Sequence, residues 1–154
     1  MKALIVCTSK SHGNTRKVAD VIGSVLDARV VDPGEISADA LAGYDLVGFG
    51  SGVYWMALDA RLREFVDALP AGAGQEAFVF ATSGLPEPGF RPYLRNLGDQ
   101  LVGKGFEVVG GFACRGLDTM GPLGLFGGLN KGRPSADDLT SAREFGEQLR
   151  GRFA

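Results

Sequence analysis

The sequence predicts an α/β fold in three layers, with a five-stranded parallel sheet covered by helices on both faces. Two observations carry this. Short apolar runs alternate with segments of helical periodicity from end to end. The first run, Ala3–Cys7, is almost continuously apolar, as a strand buried on both faces of a parallel sheet requires. Strands that alternate with helices in this way are joined by right-handed crossovers.

The elements follow in order. After strand one, Val18, Val21, Ile22, Val25 and Leu26 recur at helical spacing. Arg29–Val31 is a brief second strand. Residues 46–50 (Leu-Val-Gly-Phe-Gly) form a third, followed by Leu58, Leu62, Phe65, Val66 and Leu69 on one helical face, stopped by Pro70. Residues 77–81 (Ala-Phe-Val-Phe-Ala) are the fourth strand. Its helix carries Leu94, Leu97 and Leu101 and closes at Gly103 and Gly105. Residues 106–114 make the fifth. Ser135 with Asp138 resembles a capping box, opening a last helix with Leu139, Ala142, Phe145 and Leu149 on one face.

Composition bounds the function. The 154 residues fit one domain, 1–154. Sixteen Lys and Arg against 18 Asp and Glu give a net charge of -2, too balanced for a nucleic acid or an anionic membrane as partner. Two cysteines, Cys7 and Cys114, lack CxxC spacing, and one histidine, His12, argues against a transition-metal site built by the protein. No run approaches the ~18 apolar residues of a membrane span, and the opening apolar run is too short for a signal peptide. A cytoplasmic protein is expected. Glycine is the outlier, with 24 residues, about twice the usual ~7%. Fourteen of them, Gly48, Gly50, Gly52 and Gly110 included, lie in or beside the strand-end loops, where backbone is expected to approach a ligand closely.

In open parallel sheets ligands bind at the carboxyl ends of strands, where the strand order switches. The loop after strand one reads Thr8-Ser9-Lys10-Ser11-His12-Gly13-Asn14-Thr15. Free N–H groups and the helix dipole make such a turn an anion site that hydroxyls complete; a plain turn with a polar cap is the bland alternative. There is no G-x-x-x-x-G-K-[ST], and Gly48-Phe49-Gly50 has Val53 where a third glycine belongs, so P-loop and dinucleotide fingerprints are absent.

The Ser11–Thr15 stretch, Ser-His-Gly-Asn-Thr after Thr8-Ser9, resembles the flavodoxin phosphate loop, [ST]-x-[ST]-G-x-[ST] before the first helix. Lys10 stands as an extra residue, and His12 occupies a position where Ser or Thr is usual. The opening Lys-Ala-Leu-Ile-Val is similar to a flavodoxin first strand, and the element order matches over essentially the whole chain. The resemblance implies the strand order 2-1-3-4-5, which is that of flavodoxin itself, and FMN as cofactor. Ser9, Lys10, Ser11, His12, Gly13, Asn14 and Thr15 would then meet the phosphate.

The resemblance extends to the other strand-end loops. Ser51, Gly52, Val53, Tyr54 and Trp55 follow strand three, where flavodoxins present an aromatic ring to one face of the flavin; Tyr54 stands at the expected position. Packing at a helix start is the alternative for Tyr54 and Trp55. Thr82, Ser83 and Gly84 follow strand four, where the family's backbone bonds the pyrimidine edge, and Arg115 opens the segment after strand five. Residues 115–134 exceed usual loop length and mix Leu117, Met120, Leu123, Leu125, Phe126 and Leu129 with Arg115, Lys131 and Arg133. This segment is expected to fold over the flavin edge or meet a partner. With the family's strand order, strands one and five lie about 14 Å apart at ~4.8 Å per spacing, too far for Cys7 and Cys114 to form a disulfide.

The function implied is non-covalent FMN binding and electron transfer between redox partner proteins, a reductase and an acceptor. The alternative is a small FMN-dependent oxidoreductase on the same fold, a quinone or NAD(P)H reductase or a protein similar to the flavodoxin-like protoporphyrinogen oxidases, using a small-molecule acceptor. A phosphorylated receiver domain would need an acidic pair after strand one and an aspartate ending strand three. Cys7-Thr8-Ser9 and Gly50-Ser51-Gly52 stand there instead. A flavin-free interaction module is the remaining class.

Overall fold

A computed structural model describes residues 1–8, 14–54, 57–71, 74–83, 91–115 and 136–153. The strands are β1 (Ala3–Cys7), β2 (Arg29–Val31), β3 (Leu46–Tyr54), β4 (Ala57–Leu58), β5 (Glu76–Ser83) and β6 (Glu107–Arg115). The helices are α1 (Asn14–Leu26), α2 (Ala60–Asp67), α3 (Arg91–Gly103) and α4 (Ala136–Gly151), with short 3-10 helices at Pro33–Glu35 and Ala38–Gly43.

The main sheet runs β2-β1-β3-β5-β6 with every neighbour parallel, so the five expected strands take the order 2-1-3-4-5. Side chains alternate across it. Leu4, Val6, Val47, Phe49 and Val79 face one core with Leu62 and Val66 of α2 and Leu97 and Leu101 of α3. Ile5, Cys7, Phe78 and Phe80 face the other, with Val18 and Ile22 of α1 and Ala142 and Leu149 of α4. Gly146 brings α4 against α1: a Cβ there would meet Val25 Cβ at 3.2 Å.

The third strand is longer than expected. It continues to Tyr54 and turns back as β4, an antiparallel pair with Val53 opposite Leu58 and Tyr54 opposite Ala57. Leu58 therefore belongs to a strand and not to the helical face assigned to it. Asp59 caps α2 instead, its side chain accepting from Arg61 N. The helix ends at Asp67 rather than at Pro70. Leu69 lies past its end yet stays buried, its N–H bonded to Val66 O at 3.1 Å. Gly105, with φ 91°, closes the turn after α3 as expected of glycine.

Two glycines expected near a ligand turn out to serve the core. Phe78 and Phe80 on β5 lie over Gly48 and Gly50 on β3; a Cβ on Gly48 would stand 2.6 Å from Phe78 Cε2, and one on Gly50 would overlap the Phe80 ring. The two rings stack with centroids 6.0 Å apart, and Phe78 meets Phe145 of α4 edge-on at 5.8 Å. Gly110 makes similar room, since a Cβ there would meet Phe145 Cε1 at 3.1 Å. The β5–β6 register shifts between Ala77 and Phe78, leaving Val109 as an extra residue in β6. These glycines make room for flat side chains rather than for a flat cofactor.

Gly50→Ala is predicted to destabilise the fold by about 1–3 kcal/mol, because the added methyl overpacks against Phe80. Urea unfolding measures this. Gly50→Ala combined with Phe80→Leu should recover part of the loss, whereas strictly additive losses would contradict the ring-on-glycine packing.

Candidate functional site

The carboxyl ends of β1, β3, β5 and β6 lie along one edge of the sheet, with the switch in strand order between β1 and β3. Thr8 directly follows β1. Its N–H donates to Gly50 O at 3.0 Å, which carries the ladder one residue beyond the strand. The residue is 0% exposed, and among the described residues its Oγ1 has no hydrogen-bond partner. A buried hydroxyl left unbonded costs roughly 1–3 kcal/mol, so Thr8 marks a place where a polar ligand atom would be stabilised.

α1 opens on the same edge at Asn14 and Thr15, both buried. Thr82 alternates on β5 with Phe78 and Phe80, which puts it on the sheet face that α1 covers. There Thr15 Oγ1 and Thr82 Oγ1 are 2.8 Å apart, with Thr15 2% and Thr82 4% exposed. The first turn of α1 is thus hydrogen-bonded to the end of β5. The N–H groups of a first helical turn have no intrahelical acceptor, and together with the helix dipole they favour an anion there.

Ser51, also 0% exposed, is engaged within the protein: its Oγ donates to Gly52 O at 2.6 Å and accepts from Asp59 N at 2.9 Å. Asp59, 3% exposed, in turn accepts from Arg61 N at 2.9 Å. Ser51 therefore ties the β3–β4 corner to the start of α2. Gly52 is buried and pairs with Thr82. Val53 and Tyr54 are strand residues, not loop residues. Ser83 and Arg115 end their strands side by side, in register. The structure therefore brings together Asn14, Thr15, Ser51, Gly52, Val53, Tyr54, Thr82, Ser83 and Arg115 at one edge. Ser9, Lys10, Ser11, His12, Gly13, Trp55 and Gly84 lie outside the described residues, as do 116–134 and Ser135.

In the sequence, Thr8 belongs to the loop read as an anion site but has no cofactor contact of its own assigned to it, and Asp59 is not assigned to the site. Thr8 adjoins the first assigned hydroxyl, Ser9, and the apolar run before it gave the signal, since its own position is the first past a buried strand. Asp59 stands one residue before a helical segment, an N-cap signature that the apolar Leu58 masked. No group of three or more His, Cys, Asp or Glu able to hold a metal occurs among the described residues. No described helix is long and apolar enough to cross a membrane.

Cys7 is buried beneath this edge as a free thiol, and β3 and β5 separate its strand from the strand of Cys114. Burial pushes its pKa from 9.0 up to about 12. The stabilisation that comes with the protonated thiol is complete below about pH 9, and is lost as pH rises through 9 to 12. In a Cys114→Ser variant, Cys7 is predicted to resist iodoacetamide at pH 8 until the chain is unfolded. Alkylation of the native protein at the rate of a free thiol would contradict that burial.

A family profile for the flavodoxin domain matches residues 5–115. A protein of Methanocaldococcus jannaschii, named as uncharacterized, is 40% identical over 151 residues, spanning 97% of this chain and 98% of its own. Among solved structures, a flavodoxin from the domain Archaea is similar with a TM-score of 0.74 at 17% identity, covering 99% of this chain and 98% of that one. Oxidised flavodoxin 2 from Bacillus cereus gives a TM-score of 0.74 at 22% identity, covering 99% of each chain. The two structural likenesses establish the fold, and the profile, spanning the sheet from β1 to the end of β6, establishes the family. This chain belongs to the flavodoxin family.

Proposed function

We propose that the protein binds FMN non-covalently at the carboxyl edge of its sheet and carries electrons through it. The observation that carries this reading is the buried hydroxyl set at the start of α1. Thr15 and Thr82 are bonded to each other, and the hydroxyl of Thr8 is buried without a partner among the described residues. Neutral hydroxyls beside a helix N-terminus suit a phosphate monoester: they donate hydrogen bonds without the desolvation cost of a buried cation. The residues present fit that group.

In this reading Ser9, Lys10, Ser11, His12, Gly13, Asn14 and Thr15 hold the phosphate, together with Thr8. Tyr54 and Trp55 wall one face of the ring, where an aromatic surface gains by area burial and stacking. Gly52 and Val53 belong to the same strand as Tyr54, and Ser51 braces the corner between that strand and α2. Ser83 and Gly84 line the ring edge, and Arg115 extends that edge from the neighbouring strand. Bound there, the flavin would supply one- and two-electron transfer, with the protein setting its potentials through stacking, hydrogen bonds and local charge. The partners are redox proteins, a reductase and an acceptor.

A second reading, an FMN-dependent oxidoreductase with a small-molecule acceptor, is favoured by the charge. At -2 the chain is near balance, with Lys10 and His12 in the first loop and Arg115 at the same edge. The strongly acidic net charge that steers basic partner proteins to family carriers is not found in this composition.

Adding FMN to the purified protein should give a bound yellow chromophore with quenched flavin fluorescence. Unquenched fluorescence at saturating protein would defeat both flavin readings. Gly13→Asp, which puts a carboxylate beside the phosphate, is predicted to weaken FMN binding at least 100-fold, about 2.7 kcal/mol, with the far-UV circular dichroism unchanged. Near-normal affinity would remove the phosphate assignment. Stopped-flow mixing of the FMN-loaded protein with NADPH separates carrier from enzyme: slow reduction without a reductase supports the carrier, and rapid direct reduction supports the oxidoreductase.

A further inference from the structure

We propose that Thr82 is a positioning residue that acts through Thr15: its hydroxyl donates to Thr15 Oγ1 and turns the remaining Thr15 proton toward the anion at the start of α1. The inference rests on the FMN reading and extends it, because it moves Thr82 from the ring edge to the support of the phosphate. The geometry is the 2.8 Å contact between two hydroxyls, both at least nine-tenths buried, one on the first turn of α1 and the other near the end of β5.

Proton counting makes the contact directional. Each hydroxyl has one proton and two acceptor lone pairs. One proton is used between the two oxygens, so the pair has one left to offer. If Thr15 donated, Thr82 would hold the free proton and Thr15 would face an anion with lone pairs alone. A phosphate dianion accepts and does not donate. It therefore selects the opposite arrangement, Thr82 to Thr15 to phosphate, in which each bond polarises and strengthens the next. Burial keeps water from substituting for Thr82 as the donor. The Phe80 ring on Gly50 fixes the height and face of β5 at this point, which keeps Thr82 opposite Thr15.

The role differs from plain structural packing in what it should change. A residue acting through the phosphate contact matters for FMN and not for riboflavin, which has the same ring and no phosphate. Dissociation constants for FMN and riboflavin are therefore measured by fluorescence titration for the wild type, Thr82→Val and Thr82→Ser. Thr82→Val should weaken FMN about tenfold and leave riboflavin within about twofold, and Thr82→Ser, which restores the hydroxyl, should return FMN to within about threefold of wild type.

The double variant Thr15→Val with Thr82→Val should bind FMN no more weakly than Thr15→Val alone, because Thr82 acts only through Thr15. Thr82→Ala removes the same hydroxyl without adding a methyl, and replaces Thr82→Val if that variant does not fold. The inference is overturned if loss of the hydroxyl leaves FMN affinity unchanged, if it weakens FMN and riboflavin equally, or if the double variant loses the sum of the single losses. A wild type that binds neither flavin overturns the FMN reading itself, and this inference with it.

Discussion

Two phenylalanine rings laid on two glycines set the register on which the rest of the structure depends. Phe78 and Phe80 occupy the space that side chains at Gly48 and Gly50 would fill, so β5 fits β3 closely only when rings and glycines coincide. In a strand, a slip of one residue exchanges the two faces. Such a slip would turn Thr82 away from α1 and send the rings into the α2–α3 core. The same rings reach outward, Phe78 to Phe145 on α4, whose approach Gly110 permits. One steric match thus joins the centre of the sheet, the helical layer on one face and the polar residues at the carboxyl edge.

The chemistry of that edge follows from its burial. Thr8 follows β1, Ser51 and Thr82 lie in the last residues of β3 and β5, and Thr15 is in the first turn of α1, each at most 4% exposed. Two of the four hydroxyls bond each other and one braces a corner, so Thr8 alone is left to be satisfied by something outside the described residues. The thiol of Cys7 beneath them is held protonated by the same exclusion of water. An edge of this kind offers neutral donors in a dry setting beside a helix N-terminus. Such an edge suits a phosphate held through hydrogen bonds.

The fold was legible in the sequence because strands buried on both faces have little choice of composition. Ala3–Cys7 and residues 77–81 declare themselves as strands without reference to any partner. The hairpin of β3 and β4 was not legible, since Leu58 continues the helical spacing of Leu62, Phe65 and Val66. Only the antiparallel pairing with Val53 reveals it as a strand residue. The glycines misled for a related reason. Glycine in a strand signals a close approach but not by what, and here β5 supplies rings where a ligand had been expected. At the candidate site, the hydroxyl-rich loop could be read as an anion site from residue types alone. The bond between Thr15 and Thr82 spans 67 positions and is set by sheet register, which local pattern does not encode.

On the proposed reading a phosphate monoester is held among buried hydroxyls at the start of α1. The 31P resonance of FMN bound to the protein, followed from pH 5 to pH 8, tests it most directly. Free phosphate monoesters titrate in this range, with a second pKa of about 6. A bound dianion enclosed by hydroxyl and backbone donors should give a chemical shift that does not move across the range. A resonance that titrates as it does in free FMN would place the phosphate in solvent and remove the hydroxyl cradle.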